Sequence, residues 1–303
     1  MERGIDVARW QGVISWDKVR DDDVHFAILK VTNKNNQPEE MFERNYSEAS
    51  REKLPLGVYH YVYAKTVAQA KREARAIVKI IKGKKITCGV WLDMEDASLQ
   101  KLRSRRLERI IEAQAGILKK AGYKTGIYCN KEWYDNVLDG KKLSRKYPFW
   151  IARYPISDHG EYMEDSQLNP RSYAKMWQYS SKGKVEGIKG NVDLDMAFVN
   201  LQELMRYEKP TAPDIRYKKG EVYTLKTDLK VRTGPGVKYR QKRRNQLTAE
   251  GKKHSYPQTM AVMKKGTRVT CKAVKYISGR EIWMKTPSGW MAAVYDGKVY
   301  ISK

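Results

Sequence analysis

The sequence predicts an α/β protein: an irregular eight-stranded β/α barrel followed by a small all-β module. Three observations carry this. Eight short apolar or alternating segments mark the first two thirds of the 303 residues, and helix-patterned stretches separate the early ones. Strands spaced by helices build a parallel sheet, and eight of them close a barrel. Beyond a spacer containing Pro210 and Pro213 the pattern changes to short alternating runs divided by turn signals, which is the pattern of a small all-β unit. The division is therefore 1–207 for the barrel, 208–217 for a stiff linker and 218–303 for the second domain.

Taken in order, strands are expected over 3–7, 26–32, 56–63, 88–95, 124–129, 149–153, 174–179 and 191–194. Helices are expected over 39–53, 66–82 and 99–121. The last carries Leu107, Ile110, Ile111, Ala115 and Leu118 at helical spacing, and Gly122 is its stop. After Cys129 the connections look shorter and less helical, so the barrel is expected to be irregular there. In the second domain, the turn signals are Thr233-Gly234-Pro235-Gly236, Lys265-Gly266, Pro287-Ser288-Gly289 and Asp296-Gly297. The basic stretch 238–255 reads as a long loop.

Barrels of this kind place chemistry at the C-terminal ends of their strands. The fourth strand ends Val90-Trp91-Leu92-Asp93-Met94-Glu95. Alternation points Asp93 and Glu95 the same way, with Cα atoms roughly 6–7 Å apart. Two crowded carboxylates raise at least one pKa, which is what a carboxylic acid needs to donate a proton near neutral pH. Asp6 and Asp193 fall at or near the ends of two other strands. The plainer reading is that these are loop solubilisers or helix caps. Convergence from three strands argues against it. Aromatic residues gather at the same ends: Tyr59, Tyr61, Tyr63, Tyr128, Trp150, Tyr154, Trp177 and Tyr179. Alternation sets Tyr59, Tyr61 and Tyr63 on one face and His60 on the other.

The composition suits a globular protein with a carbohydrate- or base-stacking surface: twenty Tyr and eight Trp against four Phe. The net charge is +25, and it is uneven. Residues 210–303 hold 22 Lys and Arg against 6 Asp and Glu, so this small segment should associate with a polyanion. The three cysteines have no metal-ligand spacing, and Cys88 and Cys129 open and close successive strands, too far apart to bridge. All three are expected to be free. No metal or cofactor is expected, and no apolar run approaches the ~20 residues of a membrane span.

Gly4-Ile5-Asp6-Val7-Ala8-Arg9-Trp10-Gln11-Gly12 resembles the opening motif of glycoside hydrolase family 25, the lysozymes of phage endolysins and bacterial autolysins. The family's Asp-x-Glu is matched by Asp93-Met94-Glu95. Its Tyr-His-aromatic strand is matched by Tyr59-His60-Tyr61, its late strand by Trp177-Gln178-Tyr179 and its closing motif by Val192-Asp193-Leu194. The order holds over roughly residues 3–200, and the resemblance implies an irregular TIM-like β/α barrel. Two positions depart from the pattern: Ala8 stands where Ser is usual, and Asn33 where a Glu is usual. Asp195 stands where Asn is frequent and adds a carboxylate. The second domain is similar to a bacterial SH3 domain, through Leu229-Lys230-Val231-Arg232-Thr233-Gly234-Pro235-Gly236, the run from Lys265 to Thr270, and Ser288-Gly289-Trp290-Met291.

The resemblance implies a muramidase that cleaves the β-1,4 bond from N-acetylmuramic acid to N-acetylglucosamine in bacterial peptidoglycan. Glu95 would be the general acid, kept protonated by Asp93 and Asp193. Asp93 would either orient the substrate's 2-acetamido group for internal attack, or a carboxylate would activate water with inversion. Asp6 and Asp193 would hold the sugar or tune the pair. Tyr61, Tyr63, Tyr128, Trp150, Trp177 and Gln178 would contact substrate. The basic SH3-like domain would bind anionic cell-wall polymers and raise the effective substrate concentration. The enzyme would act at the cell wall; with no visible signal peptide, it would be released through a holin or after a leader is trimmed. Three rival readings are a non-catalytic wall-binding protein on the same barrel, a hydrolase of chitin-like chains, and nucleic-acid binding through 238–253. The last lacks any recognition element beside its cations.

Overall fold

Eight strands close the barrel in chain order: β1 (Glu2–Val7), β2 (Phe26–Lys30), β3 (Leu56–Tyr61), β4 (Val90–Asp93), β5 (Thr125–Asn130), β6 (Phe149–Ala152), β7 (Met176–Gly183) and β8 (Val192–Ala197). This computed structural model describes residues 1–207, 216–278 and 280–303. The chain divides into two compact units, Met1–Tyr207 and Glu208–Lys303. Most of the predicted linker, 208–215, lies outside the described residues.

Neighbours from β1 through β7 pair in parallel, whereas β8 runs antiparallel to both β7 and β1. An all-parallel TIM-type arrangement therefore does not hold at the closing strand. A parallel return needs a long crossover, usually helical, and the short 184–191 connection can only turn the chain back. Asp193 consequently lies near the start of β8 rather than at its C-terminal end. The reversed direction still brings it to the common mouth, directly opposite Asp6.

Outside the ring lie α1 (Trp16–Asp21), α2 (Phe42–Arg51), α3 (Val67–Ile80) and α4 (Ser104–Lys120). The Thr66 hydroxyl caps α3 by accepting the Gln69 N–H at 3.2 Å. In α4 the predicted apolar stripe is the buried face. Gly122 follows it with φ +95°, a conformation that favours a residue without Cβ. The helices pack on the outward strand residues in one large core. His60 belongs to this outer layer: fully buried, it meets the Thr32 hydroxyl at 2.5 Å and lies 3.3 Å from Glu73 of α3.

The barrel interior is a separate, aromatic core that includes Phe26, Ile28, Trp91, Tyr128, Trp150 and Met176. Rings this large fit because small residues face them. A Cβ on Gly126 would lie 2.3 Å from the Trp91 ring, and one on Gly4 2.2 Å from that of Phe26. Trp150 meets Trp91 at 5.9 Å and Tyr128 at 4.5 Å between ring centroids, both edge-on. This stack plugs the barrel and leaves chemistry to its open end.

The second unit is built from short antiparallel strands. Residues Ala273–Ser278, Glu281–Thr286, Gly289–Tyr295 and Lys298–Val299 form a four-stranded sheet, and Val222–Leu225 pairs with Arg268–Thr270 and Ile301–Ser302. Its own apolar core includes Tyr223, Leu225, Val231, Met284, Met291 and Ile301. Tyr217, assigned to the linker from sequence, instead joins this core and donates its hydroxyl to the Ile301 carbonyl at 2.6 Å. The stretch expected to be a basic loop contains a five-residue helix, Ala249–Lys253, capped by Thr248. All three cysteines are free and buried. Among the described residues, no helix is long and apolar enough to cross a membrane.

Candidate active site

Five carboxylates converge at the mouth. Asp6 comes from β1, Asp93 from the end of β4, Glu95 from the loop just after it, and Asp193 and Asp195 from β8. Strand β4 stops earlier than predicted. Its last ladder bond runs from the Met94 N–H to the Tyr128 carbonyl, which frees Glu95 into the loop. Exposure sorts the five. Asp6, Asp93 and Asp195 are buried at 5%, 3% and 0%; Asp193 is half-buried; Glu95 is exposed. A substrate entering the mouth therefore meets Glu95 and Asp193 first, with Asp93 beneath.

A hydrogen-bonded frame fixes the floor. Gln178 donates its amide to Asp6 Oδ2 at 2.6 Å, and its carbonyl oxygen accepts the hydroxyls of Tyr128, at 2.7 Å, and Tyr154. Two hydroxyls on one oxygen leave the amide nitrogen pointing at Asp6. Trp150 donates its indole N–H to Asp195 Oδ1 at 2.8 Å. One oxygen of Asp93 has no donor among the described residues.

Loss of hydration within the acidic cleft, ahead of any neighbouring charge, pushes all five carboxyls above their usual range, that of Glu95 included although its residue is exposed overall. For Glu95 the Lys30 ammonium opposes the rise and Asp96 adds to it. Repulsion from Glu95 lifts Asp93 further and contributes to pushing Asp193 up to about 6. The sequence reading had Asp93 and Asp193 keeping Glu95 protonated. Desolvation comes first, and the mutual repulsion among Glu95, Asp93 and Asp193 adds to it, so the protons belong to the group rather than to one residue.

Two predicted substrate contacts are corrected. Trp177 lies on the outward face of β7, 2% exposed, with its N–H on the Arg153 carbonyl and its ring against Tyr162 and Tyr179. Alternation that turns Gln178 inward must turn Trp177 outward. Trp150 faces inward but is 1% exposed beneath Tyr59 and Tyr128, so it has no free ring face for a sugar. Tyr128 is itself nearly buried and serves the frame through its hydroxyl. Tyr61 and Tyr63 remain at the rim, ring centroids 4.7 Å apart, with Tyr63 38% exposed.

Sequence reasoning passed over three groups. Lys30, at the end of β2, places its ammonium 5.4 Å and 5.6 Å from the rings of Tyr59 and Tyr61 and is the cation that acts on Asp93 and Glu95. Trp10, in the turn after β1, is 75% exposed under the Arg9 guanidinium at 4.4 Å. Glu39 is buried and ties the same turn to the start of α2 by accepting the N–H groups of Arg9 and Met41, each at 2.9 Å. Trp10 stands inside the quoted opening motif and Lys30 inside the second expected strand; Glu39 had no sequence signal. Asn33, at the position of the usual Glu, is exposed and closes a turn by accepting the N–H groups of Asn35 and Gln37.

The model of glycosyl hydrolases family 25 matches residues 5–188. The chain belongs to this family. It is accordingly an enzyme, a glycoside hydrolase of the lysozyme type. Over 210 residues it is 29% identical to the uncharacterized protein YegX of Escherichia coli strain K12, covering 67% of this chain and 72% of that protein. Over 202 residues it is 27% identical to lysozyme M1 of Streptomyces globisporus, covering 63% and 66%. The crystal structure of the bacterial lysozyme from Streptomyces coelicolor shares the fold with a TM-score of 0.54 and 24% identity, over 67% of this chain and 94% of that one. The family match lies within the first unit. Among the described residues, no group of three or more His, Cys, Asp or Glu side chains is arranged to hold a metal ion.

Proposed function

We propose that this family 25 enzyme is an N-acetylmuramidase, cleaving the β-1,4 bond between N-acetylmuramic acid and N-acetylglucosamine, with Glu95 as the general acid. One observation carries the reading: Glu95 is the solvent-exposed member of a carboxylate cluster whose other members are buried or half-buried, and its own carboxyl is raised. An acid that must meet a glycosidic oxygen has to be both reachable and protonated. Asp93, below it on the same face, offers an oxygen without a protein donor, an acceptor for the N–H of a 2-acetamido group. Oriented in this way, the acetamido carbonyl attacks the anomeric carbon as Glu95 protonates the leaving oxygen, and water later opens the cyclic intermediate. Asp6 and Asp193 shape the charge around that centre, and Tyr61 and Tyr63 form the sugar-stacking rim. Bacterial peptidoglycan is the substrate, and the cell wall is the site of action.

The second unit, in this reading, is a bacterial SH3-type module that holds the enzyme on anionic wall polymers. Its charge supports this, as does a groove beside Lys230 and Arg232 edged by Trp283, Tyr295 and Tyr300. The test of function is direct: the full chain should release reducing ends from purified peptidoglycan and far fewer from N-acetylglucosamine oligomers. Equal or greater release from the oligomers would assign the enzyme to chitin-like chains.

A further inference from the structure

We propose that Asp6 and Asp195 hold one proton between them, and that Asp195 is a positioning residue which fixes Asp6 at the closed end of the acidic cluster. Both side chains face inward across the β1–β8 pair. Asp6 stands opposite Asp193, and Gly4 opposite Asp195, so the two carboxyls are diagonal neighbours. Asp195 is fully buried, and its second oxygen has no donor among the described residues. Asp6 is a side-chain hydrogen-bond partner of the Asp195 carboxyl.

The nearby donors are already committed. The Trp150 N–H serves the other oxygen of Asp195, the Gln178 amide serves Asp6, and the hydroxyls of Tyr128 and Tyr154 both go to the Gln178 carbonyl. Two carboxylates facing each other with no donor between them must share a proton, because burying both charges side by side costs too much. The titratable groups that act on the pair are Asp193 on β8, Asp93 on β4, and Tyr59, Tyr128, Tyr154 and Tyr179. None is a cation, while Lys30 acts on Asp93 and Glu95. The shared proton leaves the pair with one negative charge and gives Asp6 a second partner besides the Gln178 amide.

The test reads folding rather than hydrolysis, so it stands apart from the muramidase assignment. An unfolded Asp releases its proton near pH 3.9, whereas the folded pair keeps one. Above that value the pair therefore makes the folding equilibrium constant fall about tenfold per pH unit, until the folded pair titrates. Urea unfolding of the full chain between about pH 5 and pH 7 should lose one proton's worth of that slope in Asp195→Asn, and the same one in Asp6→Asn. The double variant should lose no more than either single one. Infrared spectra at neutral pH should show one protonated-carboxyl band removed by either replacement, so one folded variant is enough. An unchanged slope and spectrum, or two protons lost in the double variant, would overturn the proposal.

Discussion

Glu95→Gln should lower the turnover rate on peptidoglycan by about 10²–10⁴-fold, the usual share of a positioned general acid. The amide keeps the shape of the side chain but has no proton of the required acidity. Because Glu95 stands at the solvent-facing mouth, outside the packed core, the variant should unfold within a few degrees of the parent's temperature. It should also bind purified walls as the parent does, with binding that weakens as salt rises, since attachment is assigned to the basic second unit. Rates of reducing-end release and a wall co-sedimentation series read these outcomes. In the parent, activity should fall as pH rises through the raised pKa of Glu95, because the reaction needs its protonated form.

The second large effect is on stability. Trp150→Ala should cost about 3–5 kcal/mol of unfolding free energy, as expected for emptying a large aromatic site. The ring packs edge-on against Tyr59, Trp91 and Tyr128, and its N–H is the donor to buried Asp195. Set against a typical total of about 5–15 kcal/mol, this is a severe loss. Tyr63→Ala is the contrast. Its exposed rim position predicts a stability change within about 0.5 kcal/mol and an increased KM. Denaturant titrations and steady-state kinetics on the two variants separate a ring that supports the barrel from one that meets sugar. A rise in KM at Trp150→Phe with unchanged stability would return Trp150 to the substrate platform.

Much of the barrel was legible because its signals are periodic. The stripe of α4 and the glycine stop at Gly122 follow from local chemistry, and so do the eight strand positions. The direction of β8 was not legible from strand patterns alone. A strand reads the same in either sense, and its direction depends on the length of a connection that sequence does not label. The acidic residues were found because Asp93 and Glu95 share a face by alternation, while Asp6 and Asp193 end or begin strands at the same mouth. The same alternation separates Trp177 from Gln178, and applying it there would have kept Trp177 out of the site. Trp150 was harder. It faces the right way, and only its depth under Tyr59 and Tyr128, a property of barrel closure, shows that it is support. Glu39 and Lys30 were missed because their roles depend on contacts between segments distant in sequence.

Which bond is cut decides between a muramidase and its rivals. Products of full-chain digestion, reduced with borohydride and identified by mass spectrometry, report this directly. The muramidase reading predicts that the new reducing ends are N-acetylmuramic acid. Reducing ends on N-acetylglucosamine, or cleavage only in the peptide stems, would contradict it.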